Sequence, residues 1–96
     1  RRAGWYAHKA GFEYRAIRIT DAKKRWGSCS HSGNLNFSWR LVMAPLRVID
    51  YVVVHELTHL RYRNHSNEFW NAVAVLIPNY ESAIDWLKRN SDILVL

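Results

Sequence analysis

The stretch HELTHLRYRNH, residues 55–65, holds three histidines and a glutamate within eleven positions: His55, Glu56, His59 and His65. On a helix, residues four apart share a face with their Cβ atoms about 5–6 Å apart, so His55 and His59 can point at one atom. Zinc takes imidazole nitrogens at about 2.0–2.1 Å, and a catalytic zinc uses three protein ligands and leaves a fourth position to water. His65 is the best candidate for the third ligand. Asn64 before it is a residue that can end a helix in the left-handed conformation and turn the chain back toward the metal. Glu56 is rotated about 100° around the helix from His55, which sets it beside the open position, where a general base belongs.

With this chain's own usage of His and Glu, the pattern HExxH arises somewhere by chance only about 1% of the time, and here it falls on an independently apolar helical segment. A metal site is therefore the better reading than coincidence. His8 and His31 lie outside any ligand spacing and receive no role. Cys29 reads as an inert small hydrophobe in a strand, and Trp26, Trp39, Trp70 and Trp86 read as core rather than a base-stacking platform. The run Lys23, Lys24, Arg25 reads as a solvated turn. Arg61 and Arg63 lie between two expected ligands, so they are candidates to hold an anionic substrate group or a transition-state oxyanion.

The elements that must position these residues change character near Trp39. Before it, EYRAIRI alternates Tyr14, Ala16, Ile17 and Ile19 with arginines, and GNLNFSW alternates Leu35, Phe37 and Trp39 with polar residues, so both predict half-buried strands. A hairpin turn is expected at His31 to Gly33, giving a small antiparallel sheet of about three strands. The opening segment predicts a short helix ended by Gly11, with its packing partner upstream of this chain. After Trp39 the period is helical. Pro45 opens a helix with Ile49, Val53, Leu57 and Leu60 on one stripe. Ser66 caps a second with Phe69 and Val73 facing inward until Pro78, and Asn79 opens a third that buries Tyr80, Ile84 and Leu87. The expected fold class is α+β, with the small sheet packed against the HExxH helix and two further helices.

Ninety-six residues leave room for one modest core, and 49% hydrophobic, 14% aromatic and 23% charged residues describe a packed unit rather than a disordered tail. Neither repeats nor linkers interrupt it, so residues 1–96 read as a single domain. Because the chain starts with Arg rather than Met, it reads as one end of a longer protein. No apolar run reaches the roughly 20 residues needed to span a bilayer. A lone cysteine fits a reducing compartment, and the cytoplasm is the expected location. Fourteen Lys and Arg against eight Asp and Glu give +6, which favours anionic partners such as nucleotides, nucleic acid or acidic peptides.

Taken in order, RWGSCS, GNLNFSWRL, IDYVVVHELTHL, NHSNEFW and PNY resemble the YgjP-like metal-dependent hydrolases, which are related to the SprT-like and WLM-type zinc metallopeptidases. The resemblance spans about residues 14 to 87. It implies a zincin-type domain with one zinc ion per chain on His55, His59 and His65, Glu56 as catalytic acid/base, and strands near WGSCS and GNLNF flanking the cleft. The glycine that metzincin motifs carry three residues after the second histidine is Tyr62 here, so their particular turn is not expected. The family's upstream sheet segment is not in this sequence, so the resemblance implies that the chain is the C-terminal portion of a longer protein.

The leading functional expectation is a zinc-dependent peptidase acting on peptides or proteins, with the edge of the GNLNF strand, including Asn36, pairing with an extended substrate. The same metal and base would also serve a nucleotide phosphohydrolase, with the cations at Lys23 to Arg25 and Arg61 to Arg63 neutralising phosphates. A nucleic-acid-associated module with a structural zinc is a third expectation, set back by the presence of only three ligands where structural sites usually have four.

Overall fold

A computed structural model describes residues 2–91 of the chain. Its centre is helix α2, Leu46–Thr58, preceded by Pro45 at the N-cap. Val48, Tyr51, Val52, Val53, Val54 and Leu57 are all buried, so the helix is covered on several sides rather than along the single expected stripe. Ile49 and Leu60, at the ends of that stripe, are only half-buried. The covering elements are α1 (Arg2–Ala10), α3 (Asn67–Leu76), α4 (Tyr80–Arg89) and a three-stranded sheet, which together make an α+β fold.

Helix α1 ends as its sequence suggests. Gly11 takes φ +74°, and the Phe12 N–H donates to the Ala7 carbonyl at 2.9 Å, closing a left-handed helix terminus. Its packing partner, expected upstream, is α2. Ala3, Tyr6 and Ala7 are buried, and the Arg2 guanidinium donates two hydrogen bonds of 2.7 Å to the Asp50 carboxylate.

The sheet comprises β1 (Ala16–Thr20), β2 (Gly27–Cys29) and β3 (Asn34–Ser38) in the order β1-β3-β2. The β2–β3 hairpin is antiparallel and turns through Gly33 at φ +88°. β1 is parallel to β3, with Ile17 opposite Leu35, so the sheet is mixed where three antiparallel strands were expected. The physical reason lies in the connections. The tight hairpin joins β2 to one edge of β3, so β1 takes the other edge, and the chain returns through residues 21–33, far enough to enter β3 in the same direction as β1. On the central strand Leu35 and Phe37 are 0% and 6% exposed, whereas β1 lies at the edge. Ile17 and Ile19 of β1 are consequently exposed rather than half-buried. A central β3 also has no free edge, so the strand edge expected in GNLNF belongs instead to β2.

A 3-10 helix, Trp39–Met43, leads from β3 into α2. Trp39, expected in the core, is 47% exposed and donates from its indole to Asp21. Ser66 caps α3 by accepting from the Phe69 N–H, and Ile77 and Pro78 end that helix. Asn79 opens α4 without a side-chain cap, and of the residues on this helix only Ala83 is buried, with Tyr80, Ile84 and Leu87 half-buried.

Candidate metal centre

Helical spacing brings His55 and His59 onto one face at the end of α2. Beyond Thr58 the chain tightens into i→i+3 turns, with the Leu60 N–H bonded to the Leu57 carbonyl and the Arg61 N–H to that of Thr58, both at 3.0 Å. Asn64 does not take the left-handed conformation expected of it: among the described residues only glycines have positive φ. The tightened turn and the Ser66 cap of α3 hold His65 against the helix end between them.

The Nε2 atom of His65 lies 3.1 Å from Nε2 of His59 and 3.3 Å from Nε2 of His55. One ring nitrogen from each of the three lies within 4.8 Å of the others, an arrangement that can hold a metal ion. Nitrogens about 2.0–2.1 Å from a tetrahedral zinc stand about 3.3 Å apart, so the two short separations match edges of such a coordination shell. The far ring nitrogens of the two helical histidines are occupied. His59 Nδ1 lies 3.0 Å from the Tyr62 carbonyl oxygen, which can only accept, so Nδ1 carries the proton and Nε2 keeps its lone pair. His55 Nδ1 lies 3.0 Å from the Tyr51 hydroxyl. The donor set and the His59 tautomer therefore fit a divalent metal, and the Tyr51 hydroxyl can accept from His55 Nδ1–H in the tautomer a ligand needs.

Helix α3 supplies the floor. Phe69, fully buried, sits with its ring centroid 5.1, 4.6 and 5.0 Å from those of His55, His59 and His65. Trp70 stacks on His65 at 5.7 Å, and Tyr80 stacks on Trp70 at 5.0 Å. This aromatic column steadies a ligand that is carried by a loop.

Glu56 is 7% exposed, with a carboxylate oxygen 4.0 Å from His55 Nε2. Strand β2 approaches it closely. A Cβ on Gly27 would meet Glu56 Cγ, Phe37 Cδ1 and the Asn36 carbonyl oxygen, each at 3.2 Å, so the absence of a side chain at position 27 is what lets the strand lie against the helix. Burial pushes the Glu56 carboxyl up to about 7, opposed by the positive charge of Arg25. Burial, then the neighbouring His59 and His65, pushes His55 down to about 3, and burial also lowers His59. These values belong to the metal-free centre.

The other expected site residues go elsewhere. Arg61 stacks its guanidinium 4.8 Å above the Phe12 ring. Arg63 donates to the Ser30 carbonyl at 2.8 Å and to the Cys29 carbonyl at 3.3 Å, tying the ligand-bearing loop to the end of β2. Asn36 donates to Ser28 Oγ at 3.3 Å on the sheet face opposite Leu35 and Phe37. Cys29 is half-buried, and burial pushes its thiol up, consistent with an inert role. Tyr51 is a site residue the sequence reading missed, although its position four before His55 placed it on the ligand face. The Tyr62 carbonyl is backbone and leaves no signal in residue type.

Among the described residues no helix is long and apolar enough to cross a membrane. The fold is similar to that of the metallopeptidase zymogen abylysin of Pyrococcus abyssi, with a TM-score of 0.82 and 20% identity over 93% of this chain and 90% of that one. At that identity the likeness speaks for the fold alone. No curated protein matches the chain significantly. The YgjP-like metallopeptidase-domain model matches residues 1–90, and the chain belongs to that family of metallopeptidases.

Proposed function

We propose that this chain hydrolyses peptide bonds with one zinc ion held by His55, His59 and His65 and with Glu56 as general base. The observation that carries the reading is the convergence of three imidazole Nε2 atoms beside a buried carboxylate. When bound, the metal supplies Lewis acidity to a water and to the scissile carbonyl. Glu56 takes the proton of the attacking water and delivers it to the leaving amine. Tyr51 and the Tyr62 carbonyl orient the two helical imidazoles, and Phe69 keeps water from beneath them.

Strand β2 offers the edge for substrate. The Ser38 N–H donates to the Trp26 carbonyl and the Ser30 N–H to that of Asn34, so Trp26, Ser28 and Ser30 turn their backbone groups toward β3. Gly27 turns its N–H and carbonyl outward and Cys29 its N–H, the Cys29 carbonyl being taken by Arg63, and an extended peptide pairing at Gly27 lies alongside Glu56. The nucleotide reading is the weaker one, because Arg61 is stacked on Phe12 and Arg63 is engaged with β2 carbonyls, which removes two of its phosphate partners. The test is Glu56→Gln. It should keep its metal and lose about 10²- to 10⁴-fold in peptide hydrolysis; hydrolysis at the wild-type rate would remove Glu56 from the mechanism.

A further inference from the structure

Two hollows flank β2, one on each face of the sheet. On the α2 side, a hollow of about 220 Å³ opens on His55 and Glu56 and is walled by Trp26, Tyr51, Val52 and Leu87. On the opposite face, a second hollow of about 220 Å³ is lined by Thr20, Ser28, Asn36 and Ser38. Arg25 lines both. Side chains of an extended strand point alternately to opposite faces of its sheet. A peptide paired with the outer edge of β2 therefore sends one side chain toward the apolar hollow and the next toward the polar one.

The chemistry of the two hollows differs. The first has aromatic and aliphatic walls. In the second, Ser28 Oγ accepts from Asn36 Nδ2 at 3.3 Å and Thr20 Oγ1 accepts from the Ala22 N–H at 3.4 Å, so each hydroxyl keeps its own proton to donate. Arg25 is exposed and forms no ion pair with a described residue. Hydroxyl donors beside a guanidinium that is in no ion pair and acts on Glu56 only through its charge suit a carboxylate and repel an ammonium group. The net charge of +6 draws acidic chains to the same surface.

We propose that the substrates are extended peptides in which a large apolar residue next to the scissile bond is adjacent to an acidic residue, the two being read by the hollows on either face of β2, with Arg25 as the residue that sets the acidic preference. This rests on the peptidase reading above. The test uses the full chain carrying Glu56→Gln, so that binding is measured without turnover. The probes are blocked hexapeptides, otherwise glycine, carrying Phe-Glu, Phe-Lys or Ala-Glu at the centre in both orders, titrated by calorimetry.

In at least one order, Phe-Glu should bind about tenfold or more tightly than either of the others. Arg25→Glu should reverse the Glu-over-Lys order and keep the Phe-over-Ala order, and Arg25→Gln should abolish the charge discrimination. Equal affinity for Glu and Lys, or an order unchanged in both Arg25 variants, would overturn the proposal. Cleavage of the same peptides by the wild-type chain separates the two claims. Cleavage without the preference sinks the subsites and leaves the peptidase, whereas preferential binding without cleavage sinks the peptidase and leaves the subsites. No binding of any peptide sinks both.

Discussion

The hydroxyl of Tyr51 lies 3.0 Å from Nδ1 of His55, one helical turn further along α2. Tyr51 is 5% exposed, and its ring meets the imidazole edge-on at 5.6 Å, so both the hydrogen bond and the packing fix the rotamer of His55. When the hydroxyl accepts from Nδ1–H, Nε2 keeps its lone pair and faces His65, which is the state a metal ligand needs.

Tyr51→Phe should therefore weaken metal binding by about 10- to 100-fold while leaving the fold intact, since the ring that fills the core is retained. Competition with a chelator of known affinity measures the first effect, and thermal melting of the metal-free protein measures the second. Unchanged metal affinity would mean that the hydroxyl does not orient His55.

Phe69 is fully buried and touches all three imidazoles. Phe69→Ala should cost about 3–5 kcal/mol through lost burial and a residual cavity. A domain of this size has only about 5–15 kcal/mol in total. The metal-free variant should be close to unfolded, and saturating zinc should restore much of its melting temperature by binding only the folded state. Denaturant melts with and without zinc decide it. A variant as stable as the wild type without metal would show that the floor beneath the site is not structural.

Asp21 gives the acid side of the stability profile. Its Oδ1 accepts from the Trp39 indole and from Arg40 Nη1, each at 2.6 Å, and these bonds, the indole's first, hold the carboxyl below its ordinary value. A carboxyl lowered on folding contributes stability that is fully present above the unfolded value near pH 4 and is lost as pH falls through the lower folded value. Asp21→Asn should thus lower the melting temperature at pH 6 and converge toward the wild type as the pH falls below the ordinary carboxylate range. Parallel curves across that range would contradict the linkage.

Much of the site was legible because it is local. Four-residue spacing set His55 and His59 on one face, Ser66 capped α3 from sequence alone, and Pro78 ended it. What escaped depended on partners distant in sequence. The order β1-β3-β2 and the parallel pairing of β1 depend on how residues 21–33 return the chain to the free edge of β3, which strand alternation does not express. Arg61 and Arg63 sit where the sequence places them, between two histidines, yet Phe12 and the carbonyls of β2 take their guanidinium groups. Arg25 read as part of a solvated turn, and it is exposed; only the fold shows that it borders hollows on both faces of β2.

The central claim is the three-histidine metal centre, and the most direct measurement is metal content per chain in protein purified without added metal, wild type beside His65→Ala. About one zinc per wild-type chain, lost or greatly weakened in the variant, is the result this account predicts. A wild type that takes up no metal even when zinc is supplied would contradict it and reduce the convergence of His55, His59 and His65 to packing at the end of a helix.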